Sequence, residues 1–321
     1  MALNRYIRKT AVLAGIESVY GTDPVLTGAV NAMLVSNLNL NPLASQNVDR
    51  ELIRNFFGAS EQLVGVANVQ AGFDVEIAGS GTAGTAPAWG PLMRGCAFAQ
   101  TITASQRVEY TPITDAQESI AIYWADDGVL HKLLGARGNV QFRLNLAGKP
   151  VMSYSFVGLY GGVSAAANPT PTLTAFRPPQ VVTDANTGDI TLGPTYAVGA
   201  LTGGTPYSSR GIEVNVGNEV DHAAILGDES VDVTGRGITG SFQLKLTAAQ
   251  EVTFMTTVRT NALQSLGFVH GTVAGNTFLL YAPAVQLTGP SKQDMNGRRL
   301  NGFDARFLPL VGNDELTICM K

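Results

Sequence analysis

A chain of 321 residues is long enough for one large domain or two ordinary ones, and 45% hydrophobic residues suffice for real cores. Only 14% of residues are charged, against about 25% in a typical soluble protein, so much of the surface is expected to be covered, plausibly by other copies of the chain. A net charge of −4 and a pI near 5.4 exclude a basic footprint for gripping nucleic acid, and Cys96 and Cys319 stand in contexts that make neither a disulfide framework nor a metal knuckle.

Thirty-six glycines and 15 prolines suit a turn-rich β protein. Residues 1–30 read as an arm, with a turn cluster at Tyr20-Gly21-Thr22-Asp23-Pro24. From 31 to 78 the pattern is of strands, around Leu38 and Leu40 and at Phe73 to Ile77, broken by a long loop from Asn41 to Glu61. That loop holds Arg50, Glu51, Arg54, Phe56 and Phe57; its aromatics either tuck onto their own core or dock on a neighbour. An apolar stripe of Trp89, Leu92, Met93, Cys96 and Ala97 predicts a helix with Pro91 in its first turn.

Strands are expected through 118–160. Glu118 to Trp124 ends at the turn Asp126-Asp127-Gly128. Val140 to Leu146 and Met152 to Phe156 form a hairpin around Ala147-Gly148-Lys149-Pro150. A Gly-, Pro- and Thr-rich connector follows at 161–209. The second half repeats the order. A strand at Ile212 to Val216 is followed by a polar loop and a strand at Ser241 to Leu246. Then come a helix near Ala248 to Thr260 and strands within 277–310, with Val285–Gly289 and Phe303–Leu308 as the hairpin counterpart. Thr247 and Gln250 form a capping-box pattern before this helix, and Val252, Met255 and Val258 are its expected core stripe. The organisation is thus an arm (1–30), a first β unit (31–160), a connector (161–209) and a second β unit (210–321).

No motif carries convincing chemistry. Gly79-Ser80-Gly81-Thr82-Ala83-Gly84 matches a dinucleotide fingerprint, but the strand before it alternates Phe73-Asp74-Val75-Glu76-Ile77 instead of being continuously apolar, and the next helix starts late. Gly235-Arg236-Gly237-Ile238-Thr239-Gly240 matches the same pattern and runs into a strand. His131, His222 and His270 are isolated, so no catalytic, metal or cofactor residues are assigned and an enzyme is not expected. No run approaches 18 consecutive apolar residues, so no membrane span is expected, and the first residues do not read as an export signal. Asp74 and Glu76 share one strand face, which is either an ordinary solvated face or the lining of a channel. Gln243 and Lys245 hold the matching positions in the second half, so such a lining would be mixed in charge with a mild negative excess.

Three segments together resemble the major tail tube proteins of tailed bacteriophages: Tyr20-Gly21-Thr22-Asp23-Pro24, the run from Asp127-Gly128-Val129-Leu130-His131-Lys132 to Gly138, and the 147–150 turn with Phe156-Val157-Gly158-Leu159-Tyr160. The resemblance covers residues 10–160 by motif and the rest by pattern. It implies a mainly β fold of two tandem sandwich or barrel units, each with a flanking helix, assembling as stacked rings around a continuous inner β-barrel. Asp74, Glu76, Gln243 and Lys245 would face the channel, and Arg50, Arg54, Phe56, Phe57 and Tyr20 would touch the next ring. The implied partners are the chain itself, as a trimer of pseudo-sixfold shape or a hexamer, and tape measure, tail terminator and distal tail proteins, with DNA passing transiently. The implied location is the virion tail, after assembly in the host cytoplasm. The competing reading is a non-catalytic β-sandwich of a phage tail that recognises a carbohydrate or receptor.

Overall fold

The computed structural model describes residues 4–321. Strand makes up 54% of it and helix 8%, so the chain is mainly β. A long antiparallel sheet organises it, in the order Ser36–Asp49, Gln62–Glu76, Val151–Ala165, Val129–Asn145, Ser209–Asn215, Thr239–Leu244, Arg298–Phe307 and Phe278–Met295. The sheet does not close into a barrel. Among the described residues Ser36–Asp49 pairs only with Gln62–Glu76, and residues 287–295 pair only with Arg298–Phe307, which leaves an open edge at each end.

Two strands, Val129–Asn145 with 17 residues and Phe278–Met295 with 18, are long enough to serve two layers. The first part of Val129–Asn145 pairs with Ile120–Asp126, which in turn pairs with Thr10–Ile16. In the same way, the first part of Phe278–Met295 pairs with Leu263–His270, whose other neighbour is Ile190–Leu192. The hairpin of Phe98–Thr103 and Arg107–Pro112 joins this second outer layer through Thr317–Met320. The main apolar core runs between the layers, from Val12 to Met320, with Phe73, Trp89, Phe98, Tyr110, Phe142, Phe156, Phe268, Phe278 and Phe303 among its largest fully buried members, and a small second cluster holds Leu13, Ala32 and Tyr123. Burying each such ring contributes about 2–3 kcal/mol.

Where the halves meet, Ser209–Asn215 lies between Val129–Asn145 and Thr239–Leu244. Gly211 makes that close approach possible. Its φ is +109°, and a Cβ there would lie 2.0 Å from the Leu144 carbonyl oxygen. The fingerprint-like glycines serve the same purpose: Gly81 N–H donates to Gly275 O at 3.0 Å, and a Cβ on Gly79 would meet that same oxygen at 2.0 Å. Backbone crossing, not phosphate binding, explains the pattern.

Several expectations change. Of the segment 1–30 expected as an arm, residues 1–3 lie outside the described residues, and within the rest Thr10–Ile16 is a strand with Val12, Leu13 and Ala14 buried. The first part of the 41–61 loop, to Asp49, is strand, because paired backbone tolerates its polar side chains on both exposed faces, while 50–61, which holds Arg50, Arg54, Phe56 and Phe57, is loop as expected. The connector begins inside Val151–Ala165 and supplies the sheet strand Ile190–Leu192. The helix Gly90–Arg94 is short, yet all five stripe residues around it are buried as expected. In Ala248–Arg259 the capping box of Thr247 and Gln250 is present, but Phe254, not Val252, is the buried anchor, packed against Tyr207 and Phe303. Val252 is 69% exposed. The larger aromatic takes the available core space and sets the rotation of the helix.

The connector also fixes His270. Its Nδ1 accepts from Thr187 Oγ1 at 2.8 Å, and its Nε2–H donates to Gln180 O at 3.0 Å. Burial pushes this imidazole below its usual value near 6.5, by more than the bond to Gln180 restores, and burial likewise lowers His131. The folded state therefore holds both rings neutral more strongly than the unfolded chain does. Their contribution is complete above pH 6.5 and is lost as pH falls below it. Denaturant midpoints are expected to drop between about pH 7.5 and about pH 5.5, and His270→Gln is expected to flatten that slope. A second expectation concerns the seam. Gly211→Ala should cost about 2 kcal/mol or more, read as a lower denaturant midpoint, whereas Gly203→Ala, where a Cβ meets nothing within 4 Å, should cost less.

Candidate channel face and assembly surfaces

Along the long sheet, side chains alternate in phase across seven strands. One row reads Asp74, Ser153, Gln141, Asn215, Thr239, Arg306, Gln286, and a second reads Glu76, Val151, Arg143, Glu213, Ser241, Asp304, Thr288. Between them lies Val75, Met152, Phe142, Val214, Gly240, Ala305, Leu287, whose members point into the core. Period-two alternation thus gives one polar face, interrupted at Val151, and one apolar face. The two polar rows carry four carboxylates (Asp74, Glu76, Glu213, Asp304) against two arginines (Arg143, Arg306), a mild negative excess.

Asp74 and Glu76 both lie on this face but behave differently. Asp74 is only 7% exposed; it accepts from Asn37 Nδ2 at 2.6 Å and from Ser153 Oγ, and pairs with Arg143 at 3.2 Å. Its charge is matched within the chain. Glu76 is half-buried and pairs with Lys149 across the 147–150 turn at 3.0 Å. Gln243 sits on the same strand face as Ser241 with its Oε1 buried and unpartnered, and Lys245 follows at the strand end, exposed. Glu213, Asp304, Arg143 and Arg306 belong to the face too. Their alternation is visible in Ile212-Glu213-Val214-Asn215-Val216 and in Phe303-Asp304-Ala305-Arg306-Phe307, but the register joining these strands to Asp74 is not.

At one end of the sheet the hairpin of Ser36–Asp49 and Gln62–Glu76 projects its tip into solvent. Ile53 and Phe57 are fully exposed and Phe56 is 64% exposed. Arg50 pairs with Glu61, Arg54 lies 3.5 Å from the same carboxylate, and the Arg54 guanidinium stands 5.9 Å from the Phe56 ring centroid. The aromatics do not tuck onto the chain's own core.

Tyr20 is placed otherwise. Its ring covers Gly135, whose φ of +57° and missing Cβ make room for it, and the Arg137 guanidinium lies 5.1 Å from its centroid. Its hydroxyl accepts from Val231 N–H at 2.6 Å, and burial pushes that phenol above its usual value. Nearby, Glu17, 7% exposed, accepts from Gly21 N–H, Gly135 N–H and Ser119 Oγ. Asp23 takes Lys132 at 2.6 Å and the Tyr123 hydroxyl. Burial opposes the Asp23 charge, but these hydrogen bonds outweigh it and hold the carboxyl below its usual range. The segments at 20–24 and 127–138 are therefore one three-dimensional unit.

Among the described residues no group of three or more His, Cys, Asp or Glu is placed to hold a metal ion, and no helix is long and apolar enough to cross a membrane. What the surface offers is polar sheet, open edges and exposed hairpins, the equipment of a β protein that builds by contact with other chains. The family profile described as "Phage tail tube protein" matches residues 7–299, nearly the whole chain. The chain belongs to that family, and it is a structural subunit of a phage virion tail. A comparison with curated proteins finds no match.

The two face carboxylates are expected to respond differently to charge reversal. Asp74→Lys sets a cation beside Arg143 in a nearly buried position and should cost about 2–3 kcal/mol in chemical denaturation. Glu76→Lys, half-buried and paired at the surface, should cost under about 1 kcal/mol.

Proposed function

We propose that this chain is the repeating subunit of the tail tube, closing laterally into rings whose polar sheet faces line the channel for the genome. The observation that carries this is the pair of open edges on one continuous sheet with a polar face. Each edge is a row of unsatisfied backbone donors and acceptors that pairing with a neighbour would complete. A prolyl residue marks a bulge on each, Pro42 and Pro290, which restricts the edge to defined registers.

Matching pairing orders support two tandem units. Ser36–Asp49, Gln62–Glu76, Val151–Ala165 and Val129–Asn145 follow one another across the sheet as Ser209–Asn215, Thr239–Leu244, Arg298–Phe307 and Phe278–Met295 do. A helix follows the second strand of each set, Gly90–Arg94 and Ala248–Arg259. Each unit thus brings four strands, and a trimer of pseudo-sixfold shape brings twenty-four. Strands about 4.8 Å apart then give a perimeter of about 115 Å, enough to enclose a duplex. A face of low charge and mild negative excess lets a polyanion slide, where a basic wall would bind it. Arg50, Arg54, Phe56 and Phe57 at the projecting tip would meet the next ring, and tape measure, terminator and distal tail proteins would meet the ends. Tyr20, engaged within its own chain, positions other elements for those contacts.

Negative-stain electron microscopy of the purified chain over a concentration series tests the proposal. Rings or tubes with a central hole and three-fold averages are expected. Six-fold averages, with six full chains per ring, would overturn the trimer. Compact monomers at every concentration, even with tail-tip proteins supplied as nuclei, would favour a binding module instead.

A further inference from the structure

The hairpin of Asn218–Ile225 and Asp228–Arg236 follows Ser209–Asn215 and precedes Thr239–Leu244 in the chain, yet among the described residues its strands pair only with each other. Its root is clamped. The Asn218 side chain donates to Cys96 O and Gly138 O, its backbone N–H is taken by Asn139, and Arg137 bonds Val231 O and the Asp232 carboxylate. The Tyr20 contact and the Asn68 side chain, 3.3 Å from His222 Nδ1, hold the hairpin further out, and its tip is exposed: Ile225 is 70% exposed and Leu226 fully so. This prong is acidic. His222 Nε2 lies 2.8 Å from Glu229 and Arg137 offsets Asp232, while exposed Glu219, Asp221 and Asp228 have no cation among their described partners.

The opposite end of the same sheet is basic. Thr239 starts the strand beside the prong, and its end, Leu244, lies about 17 Å away and pairs with Asn301, beyond which the turn at Asn296 and Gly297 protrudes. There Arg298, Arg299, Lys245 and Arg210 are exposed. Lys292 is matched by Glu251, and Asp294, which accepts from Gly297 N–H, stands opposite Arg299 in the register, so the excess of positive charge at this end rests on Arg298, Lys245 and Arg210 together with Arg299. Asp184 and Asp189 line the same shallow hollow as Arg210.

We infer that the acidic prong at 218–236 docks on the basic Lys245–Arg298–Arg299 end of a second copy of this chain, so that copies stack head to tail with one polarity. The inference rests on the tube reading and adds the surfaces that orient the stack. Acid-to-acid and base-to-base stacking would repel, so the wrong polarity is disfavoured as well as the right one favoured. An interface of this kind differs at its two faces and therefore extends along an axis.

The test is a charge swap read by light scattering and electron microscopy. Asp221→Lys with Asp228→Lys should raise the concentration needed for tube growth about tenfold and leave single rings intact. Arg298→Glu with Arg299→Glu should do the same, and combining all four should recover growth to within about threefold of the parent. The neutral pair Asp221→Asn with Asp228→Asn, which keeps shape, should fall between. Parent-like growth of either reversed pair, or no recovery on combination, overturns the docking while leaving the tube reading intact. A parent chain that forms neither rings nor tubes overturns both.

Discussion

A sheet edge is a row of unpaired N–H and C=O groups, and this chain carries one at each end of its longest sheet. Most of the architecture maintains that situation. Two long strands serve both layers, so the apolar face is covered over most of the sheet, which leaves the polar face, the two edges and the exposed hairpins as the surfaces still free to engage. Low overall charge fits the same arrangement, since surface destined for neighbours has little use for strongly hydrated groups.

The halves could have been independent, but they share a core and a sheet. Gly211 lets Ser209–Asn215 lie against Val129–Asn145, Gly79, Gly81 and Gly275 cross backbone to backbone, and the hairpin at 98–112 joins Phe278–Met295 through Thr317–Met320. Tyr20 extends the coupling by holding the 218–236 hairpin with Arg137. The face and the projecting hairpins are therefore carried by one shared core and sheet.

Strands with clean alternation were legible from the sequence: Val140 to Leu146 with Met152 to Phe156, and Val285 to Gly289 with Phe303 to Leu308, pair as expected. The capping box was legible because its two side chains are local. The Thr10–Ile16 strand was not, since small apolar residues buried on both faces show no period. Nor was the strand content of 41–61, where the face that would normally carry apolar residues is itself exposed. On the candidate face, Asp74 and Glu76 could be named from one strand, but Glu213, Asp304, Arg143 and Arg306 needed the register of six strands. The matching of Asp74 by Arg143 is long-range and leaves no trace in either segment.

The most direct measurement is hydrogen–deuterium exchange of the chain before and after assembly, read at residues 36–49 and 287–295. Pairing of open edges would leave both segments fast-exchanging in the monomer and strongly protected in tubes, with the interior strand Thr239–Leu244 protected throughout. If tubes form while both edges keep exchanging at the monomer rate, the ring does not close through these strands and the polar sheet is not its inner wall.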